Sequence, residues 1–429
     1  MAQQRATLSS LEVLASGNAA GLLHRSDIEE DTFLFRYHES CPPSDAVSLT
    51  MPVVRDPYDS MSTVHPVFEM NLPEGALLEK LRALFAKVIP NFDSLALLAV
   101  VGASQVGRLR YAAPNAEPTE IPAIDLDEVL TYGGTQPLFD ELLDRYATYS
   151  GISGMQPKVL LREAAAQTVS PPRLTHRGAT HIVKSFDARE YPELAANEYF
   201  CLKAAHYAGI PAATARLSAN RHLLALDRFD LKEDGTYLGV EDFCVLSGLR
   251  SHGRYEGSYE LVAKRIRQFV SPQAERNACE RFFSMLALSC AIENGDAHLK
   301  NFAVMYGSPE GRVELAPAYD LVSTTVYRPH DVLALTLAGS KEFPTRATLL
   351  SFGQRACGLR SSRCAALVEE VERGVRRAMK DIVRLKKQDP DFSSGATQLL
   401  ESFERGLRRI TKAPSAVATS SRGRRPRRR

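Results

Sequence analysis

The feature that most limits how this chain can fold is a change of hydrophobic period near its middle. From Tyr149 to Asp230 apolar residues come in strand-length runs, "KVLLRE", "HIVKSF" and "HLLALDRFD", broken by one helical stretch, "PELAANEYFCLKAAHYAG", with a C-cap signal at Gly209. Beyond Val240 the pattern turns mostly helical to about residue 410. A strand-rich lobe therefore precedes a helical one, and a seam between lobes is a common place for a ligand. Residues 8–112 form a third unit, a small α/β module in which short apolar runs such as "DTFLFRYHES" and "LALLAVVGASQVGRLRYA" accompany one amphipathic helix, "GALLEKLRALFAKVI". The expected division is an N-terminal α/β module over 1–115, a linker and helix over 116–148 beginning in "APNAEPTEIPAID", a strand-rich lobe over 149–235, a helical lobe over 236–411 and a tail over 412–429. The fold class is α+β.

Composition narrows the function classes. At 429 residues with 44% hydrophobic side chains the chain can bury a substantial core. No apolar window approaches the roughly 20 residues of a membrane helix, and the first residues lack a secretory h-region, so the expected address is the cytoplasm, with no membrane partner. Seven scattered cysteines without a C-x-x-C pair signal neither a disulfide framework nor a zinc site. Net charge is +2, yet six arginines lie in the last eight residues, "RGRRPRRR"; without them the balance is 47 basic against 51 acidic side chains. The tail has the composition of a disordered segment with affinity for phosphate-rich polymers, or of a merely solvated end.

The stretch "ENGDAHLKNFAVMYG" (293–307) places an Asp, a His and an Asn where a helix ends and a hairpin begins. Asp296 and Asn301, with Asp320 of "APAYDLVS", are hard oxygen ligands of the kind Mg²⁺ takes one or two at a time, phosphate and water completing its octahedron. The spacing D-x-x-x-x-N matches a kinase catalytic loop, in which the Asp accepts the proton of the substrate hydroxyl and the Asn holds metal. Taken alone, a D-x-x-x-x-N match is common and "NGDAH" reads more readily as a helix-ending turn with a capping Asp. Three further pieces bear on the choice. "SGISGMQPK" (Ser150–Lys158) is a Gly/Ser-rich turn before a strand whose N–H groups can form an anion nest, with Lys158 adding charge; it is not a Walker A loop. Lys184 sits in an apolar strand and either snorkels to the surface or needs an acidic partner, for which Glu198 on the next helix is the nearest candidate. "ALDRFD" (225–230) is placed as a hinge.

Seven short motifs, "SGISGMQPKVLL", "THIVKSF", "NEYFCLKAAHYAGI", "LALDRFD", "GVEDFCVLSGL", "NGDAHLKNFAVM" and "LAPAYDLVS", run collinearly over 149–323, and in them the sequence resembles the HipA-type serine/threonine kinases, toxins of type II toxin–antitoxin systems. The resemblance implies a kinase-like two-lobed fold with ATP and Mg²⁺ between the lobes. By position it makes Asp296 the catalytic base, Asn301 and Asp320 the metal ligands, Lys184 the phosphate lysine with Glu198 as its partner, and Asp227, Arg228 and Phe229 the adenine hinge. Ser153, Gly154, Met155, Gln156, Pro157, Lys158, His298, Lys300 and Tyr319 would line the nucleotide. It further implies phosphorylation of a serine on a protein target such as glutamyl-tRNA synthetase, autophosphorylation of a serine in the Gly-rich loop, and a small helix-turn-helix antitoxin (HipB-like) that binds operator DNA. Some family members carry Ser where this chain has Gly151, which moves the expected autophosphorylation to Ser153 or Ser150, with Ser153 favoured. The Arg-rich tail lies outside the family pattern and would add DNA or RNA affinity. A catalytically weak scaffold acting with the antitoxin on DNA, and a kinase for a small molecule or lipid head group, stand as alternatives.

Overall fold

A computed structural model describes residues 9–29, 31–85, 89, 92–113, 120–133, 136–164, 178–186 and 188–412. The Arg-rich run 422–429 lies outside them. The N-terminal unit comprises β1 (Ser10–Ala15), β2 (Asn18–Arg25), β3 (Thr32–Tyr37), β4 (Tyr58–Met61), α1 (Pro66–Glu69), α2 (Gly75–Phe85), α3 (Ser94–Val101) and β5 (Leu109–Ala112). Its sheet is antiparallel in the order β4-β3-β2-β1-β5. Leu11, Val13 and Ala15 alternate inward along β1, the period-two pattern of a strand with one face on a core. The apolar run "LALLAVV" is helical, not extended, because the Asp93 side chain accepts from Ala96 N–H at 3.0 Å and caps it.

Next come β6 (Ala123–Ile124), α4 (Leu126–Thr131) and α5 (Gln136–Tyr146), in the stretch expected to be linker and helix. There β6 pairs parallel with β7 (Lys158–Glu163) and opens a second sheet. With β8 (His181–Ser185), β9 (Ala215–Leu217) and β10 (Leu223–Asp227), this sheet has the order β6-β7-β8-β10-β9. Between β8 and β9 runs α6 (Leu194–Tyr207). It ends at Gly209 (φ +73°), where Gly209 N–H donates to His206 O and Ile210 N–H to Ala205 O, each at 3.0 Å, closing a Schellman cap.

The helical lobe holds α7 (Tyr259–Phe269), α8 (Pro272–Ala291), α9 (Arg346–Arg355), α10 (Ser361–Gln388) and α11 (Ser393–Thr411), with a three-stranded sheet of β11 (Gly239–Asp242), β12 (Ala303–Tyr306) and β13 (Val313–Leu315) against α8. All seven cysteines are buried and unpaired, packing as small apolar side chains. Among the described residues no helix is long and apolar enough to cross a membrane.

Two cores share the second sheet. Leu223 and Ala225 join the core of the N-terminal unit, while Leu224 and Leu226 join that of the helical lobe. Lys184 pairs with Leu224 across one ladder and with Lys158 across the other. Strand alternation thus puts both lysines on the side facing the helical lobe, where the cleft lies.

Candidate active site

A cleft of about 940 Å³ opens between the second sheet and the helical lobe. Its floor is set by the end of α8. Glu293, fully inside the protein, takes hydrogen bonds from Arg405 (2.9 Å) and Arg409 (3.0 Å) of α11, which fixes the chain where the helix stops. Gly295 follows because a Cβ there would lie 2.3 Å from Asp331 Oδ2 and 2.5 Å from Val332 O. A helix end tied down by two arginines thus delivers Asp296, His298 and Asn301 to the cleft.

Lys184, from β8, stands at the centre. Its Nζ donates to Glu198 Oε1 of α6 at 2.7 Å and to Asp320 Oδ1 in a still shorter contact. Asn301 Nδ2 reaches the other Asp320 oxygen at 3.3 Å, and Asn301 Oδ1 accepts from His298 N–H at 3.1 Å. Burial acts to raise the Asp320 pKa, but Lys184 and Lys158 outweigh it and hold the carboxyl well below the usual carboxylate range. Burial lowers Lys158 to about 8, Asp320 working against it and Lys184 with it. Two ammonium groups directly opposite across a ladder repel. Here they are tolerated because acids face them, and the arrangement favours a polyanion.

Asp296 is exposed to the cleft and accepts the Tyr255 hydroxyl at 2.8 Å. Desolvation by the surrounding protein, with the charges of Asp320 and Asp331, pushes its pKa up to about 6, against the pull of Tyr255. His298 packs edge-on against the Tyr255 ring at 5.0 Å, and burial lowers its pKa to about 4, leaving a neutral imidazole at pH 7.

The Gly-rich loop closes one side. Gly154 (φ +125°) leaves room for Lys158 Nζ, which would sit 2.2 Å from a Cβ there and which donates to Ser153 O at 3.2 Å. Met155 is exposed at the tip, and Gln156 and Pro157 line the cleft. Ser150 is fully buried, its hydroxyl donating to Tyr146 O and accepting from Leu160 N–H, both at 2.8 Å. Ser153 is half-buried and bonded to Glu74 (2.8 Å) and Lys300 (2.5 Å). Lys300 also reaches Met70 O and Ser251 Oγ.

At the hinge the three residues diverge. Asp227 and Arg228 give their N–H groups to Thr214 O and Thr180 O, each at 3.0 Å, and Asp227 pairs with His181 at 3.2 Å. The Arg228 side chain turns away into a buried cluster with Asp230 (3.0 Å), Gln105 O (3.0 Å) and the Tyr237 ring. Phe229 instead stacks on Tyr319 with centroids 5.6 Å apart, and the Tyr319 hydroxyl donates to Lys300 O at 2.7 Å. Ile182, Ala213 and Leu226 add apolar lining. The structure thus brings Lys158, Lys184, Asp296, His298, Asn301, Tyr319 and Asp320 around one space, with Glu198 buried behind Lys184.

Residues 150–379 match the family model of the HipA-like C-terminal domain, and residues 11–112 that of the HipA N-terminal domain. The chain belongs to the HipA family. Its fold is that of HipA from Shewanella oneidensis, solved with HipB and operator DNA, with a TM-score of 0.69 over 93% of this chain and 98% of that one at 20% identity. A curated relative, "Putative kinase Y4dM" of Sinorhizobium fredii, is 33% identical over 122 residues, a segment spanning 28% of this chain and 28% of that protein.

In this HipA-family chain two buried polar atoms, His298 Nδ1 at the cleft and Glu198 Oε2 behind Lys184, find no hydrogen-bond partner among the described residues. Such atoms are satisfied by water or a ligand. Among the described residues no group of three or more His, Cys, Asp or Glu is arranged to hold a metal. Asn301 and Asp320 are neighbouring oxygen-bearing side chains, a set that suits Mg²⁺ shared with phosphate oxygens and not an all-protein cage; here Asn301 gives its Nδ2 to Asp320 and its Oδ1 accepts from His298 N–H, so an ion held by both would require the amide to turn. Two residues, one in the site and one beside it, carried no signal in the sequence. Tyr255, in "SHGRYEG", and Glu74, just before α2, belong to no motif and come from far along the chain; only the fold brings them in.

Proposed function

We propose that this chain is an ATP-dependent protein serine/threonine kinase acting as the toxin of a toxin–antitoxin module. The observation that carries the reading is the bridge Glu198–Lys184–Asp320, with Asn301 on Asp320 and Asp296 in the same cleft. In this reading Lys184 and Lys158 receive the phosphates, the stacked pair Phe229 and Tyr319 lies beside the adenine, and Asp296 takes the proton of a serine hydroxyl as its oxygen attacks the γ-phosphorus and ADP leaves. Asn301 and Asp320 would hold Mg²⁺, which supplies charge neutralisation at the phosphates when bound. With a pKa near 6, Asp296 is ionised at pH 7 and fit for the task.

The proposed target is a serine of a translation protein such as glutamyl-tRNA synthetase. Ser153 is the proposed autophosphorylation site: it lies in the loop and is half-buried, whereas Ser150 is fully buried with its hydroxyl bonded inside the core. The proposed partners are a HipB-like helix-turn-helix antitoxin and operator DNA. Favouring DNA contact, Arg373, Arg377, Lys380, Arg384 and Lys387 recur along one exposed face of α10, a stripe about 21 Å long in a chain that is mildly acidic apart from its Arg-rich tail.

The test is to incubate purified protein with labelled ATP·Mg and host lysate and to map phosphoserines on self and target. Asp296→Gln is expected to abolish transfer while ATP still binds. A variant that turns over as wild type would overturn the assignment of Asp296.

A further inference from the structure

The N-terminal unit grips the Gly-rich loop at three points that the phosphotransfer reading does not use. The first is backbone pairing, in which Gly151 N–H donates to Ser104 O at 2.9 Å and Val106 N–H to Gly151 O at 3.3 Å. No side chain fits there, since a Cβ on Gly151 would lie 2.4 Å from Gln105 Cγ and 2.7 Å from Ser104 O. The second is Gly75 (φ +52°), whose missing Cβ makes space for the Met155 carbonyl, 2.5 Å from where that atom would be. Both contacts bring the loop hard against the N-terminal unit without fixing its side chains.

The third point is Glu74. Its carboxylate accepts the Ser153 hydroxyl at 2.8 Å and the Arg254 guanidinium at 2.9 Å, and lies 3.5 Å from Lys300 Nζ. Burial would raise its pKa, but Lys300 and Arg254 prevail and keep it below the ordinary value, so it is charged at neutral pH. Lys300 closes the triangle by donating to Ser153 Oγ at 2.5 Å. One carboxylate therefore ties together the Gly-rich loop, the segment that carries Asp296 and Asn301, and the turn that ends at Tyr255. The side chains of Glu74, Arg254 and Lys300 are each less than one-fifth exposed, so water screens them far less than a surface pair.

Ordering a Gly-rich loop costs conformational entropy, and a loop already held in its binding geometry spends less of that cost when a ligand arrives. We propose that Glu74 is a positioning residue, a clamp by which the N-terminal unit holds the Gly-rich loop closed and thereby sets the affinity of the cleft for a nucleoside triphosphate. The identity of the ligand rests on the kinase reading; the clamp itself does not. In transfer to a protein target Glu74 touches no reacting atom and acts only through Ser153, Arg254 and Lys300.

The experiment uses the full-length protein and the variants Glu74→Gln and Glu74→Ala. Hydrogen exchange of the 150–157 backbone is followed without nucleotide, and binding is read with a fluorescent ATP analogue plus Mg²⁺. Removing a charge-assisted hydrogen bond is expected to speed loop exchange about tenfold and to weaken nucleotide binding about tenfold. Exchange in α8 should stay at its wild-type rate, and kcat at saturating ATP should change less than about threefold, a split that a general loss of stability would not give. Unchanged loop exchange, or unchanged nucleotide affinity, in a variant with intact α8 protection overturns the proposal. Should the Ala variant lose that protection, the isosteric Gln variant decides. If wild-type protein binds no nucleotide, the kinase reading fails, and loop exchange alone still accepts or rejects the clamp.

Discussion

Asp296 is a base only when ionised, so its raised pKa of about 6 sets the sign of the pH dependence. Phosphotransfer, read as kcat/KM against pH, should rise through about pH 6 and level off above it. The Tyr255 hydroxyl donates to Asp296 and opposes protonation, so Tyr255→Phe should move that midpoint upward by about one unit. Titration of the nucleotide is common to both enzymes, which makes the difference between them the informative quantity; coincident profiles would contradict the role given to Asp296. Residue by residue, the sequence spoke unevenly. The pairing of Lys184 with Glu198 was legible because an ammonium in an apolar strand demands an acid and the next helix offers one. That Asp320 also closes on Lys184, 136 positions away, depends on how the two lobes meet. Arg228 was expected at the hinge for its backbone; that its side chain is taken by Asp230 and Gln105 O depends on contacts with the hinge's own flank and the N-terminal unit that motif order does not express.

At the scale of elements, period and caps carried most of the information. The strands β7, β8 and β10 and the helix α6 with its Gly209 cap lie where apolar spacing put them. Short or uniformly apolar pieces were less readable: β6 is two residues long, and "LALLAVV" has no period, so its Asp93 cap alone distinguishes helix from strand. Glycine inside a helix is likewise mute in one sequence. Gly374 lies within α10, and a Cβ on it would come 2.5 Å from Ala208 N and 2.7 Å from Ala204 O of α6 and its cap. Alanine would gain about 1 kcal/mol of helix propensity, but separating two packed backbones costs about 1–3 kcal/mol. Gly374→Ala should therefore lower stability in urea by about 1 kcal/mol, and a stabilised variant would show that α6 and α10 are less closely seated than these distances imply.

For the whole molecule, the N-terminal unit behaves as a brace across both lobes. Glu241 of β11 accepts from Ser48 Oγ (2.5 Å) and Leu49 N–H (2.9 Å), Asp230 accepts from Gly107 N–H (2.7 Å), and the Gly-rich loop is held at 104–106 and Glu74. Cleft geometry is thus a property of the entire chain and not of residues 149–323 alone. The basic face of α10 belongs to the same scale. In a complex with antitoxin and operator DNA, replacing Arg373, Lys380 and Lys387 by Ala should flatten the dependence of log affinity on log salt by about 0.9 for each phosphate no longer neutralised, and an unchanged slope would place the DNA elsewhere. The central claim, that Lys158, Lys184, Asn301 and Asp320 gather on one metal-bound triphosphate, is tested most directly by a crystal structure with a non-hydrolysable ATP analogue and Mn²⁺. The account predicts an anomalous peak within bonding distance of Asn301 Oδ1 and an Asp320 oxygen, with phosphates against both lysines. A nucleotide bound elsewhere, or a metal that touches neither side chain, would contradict it.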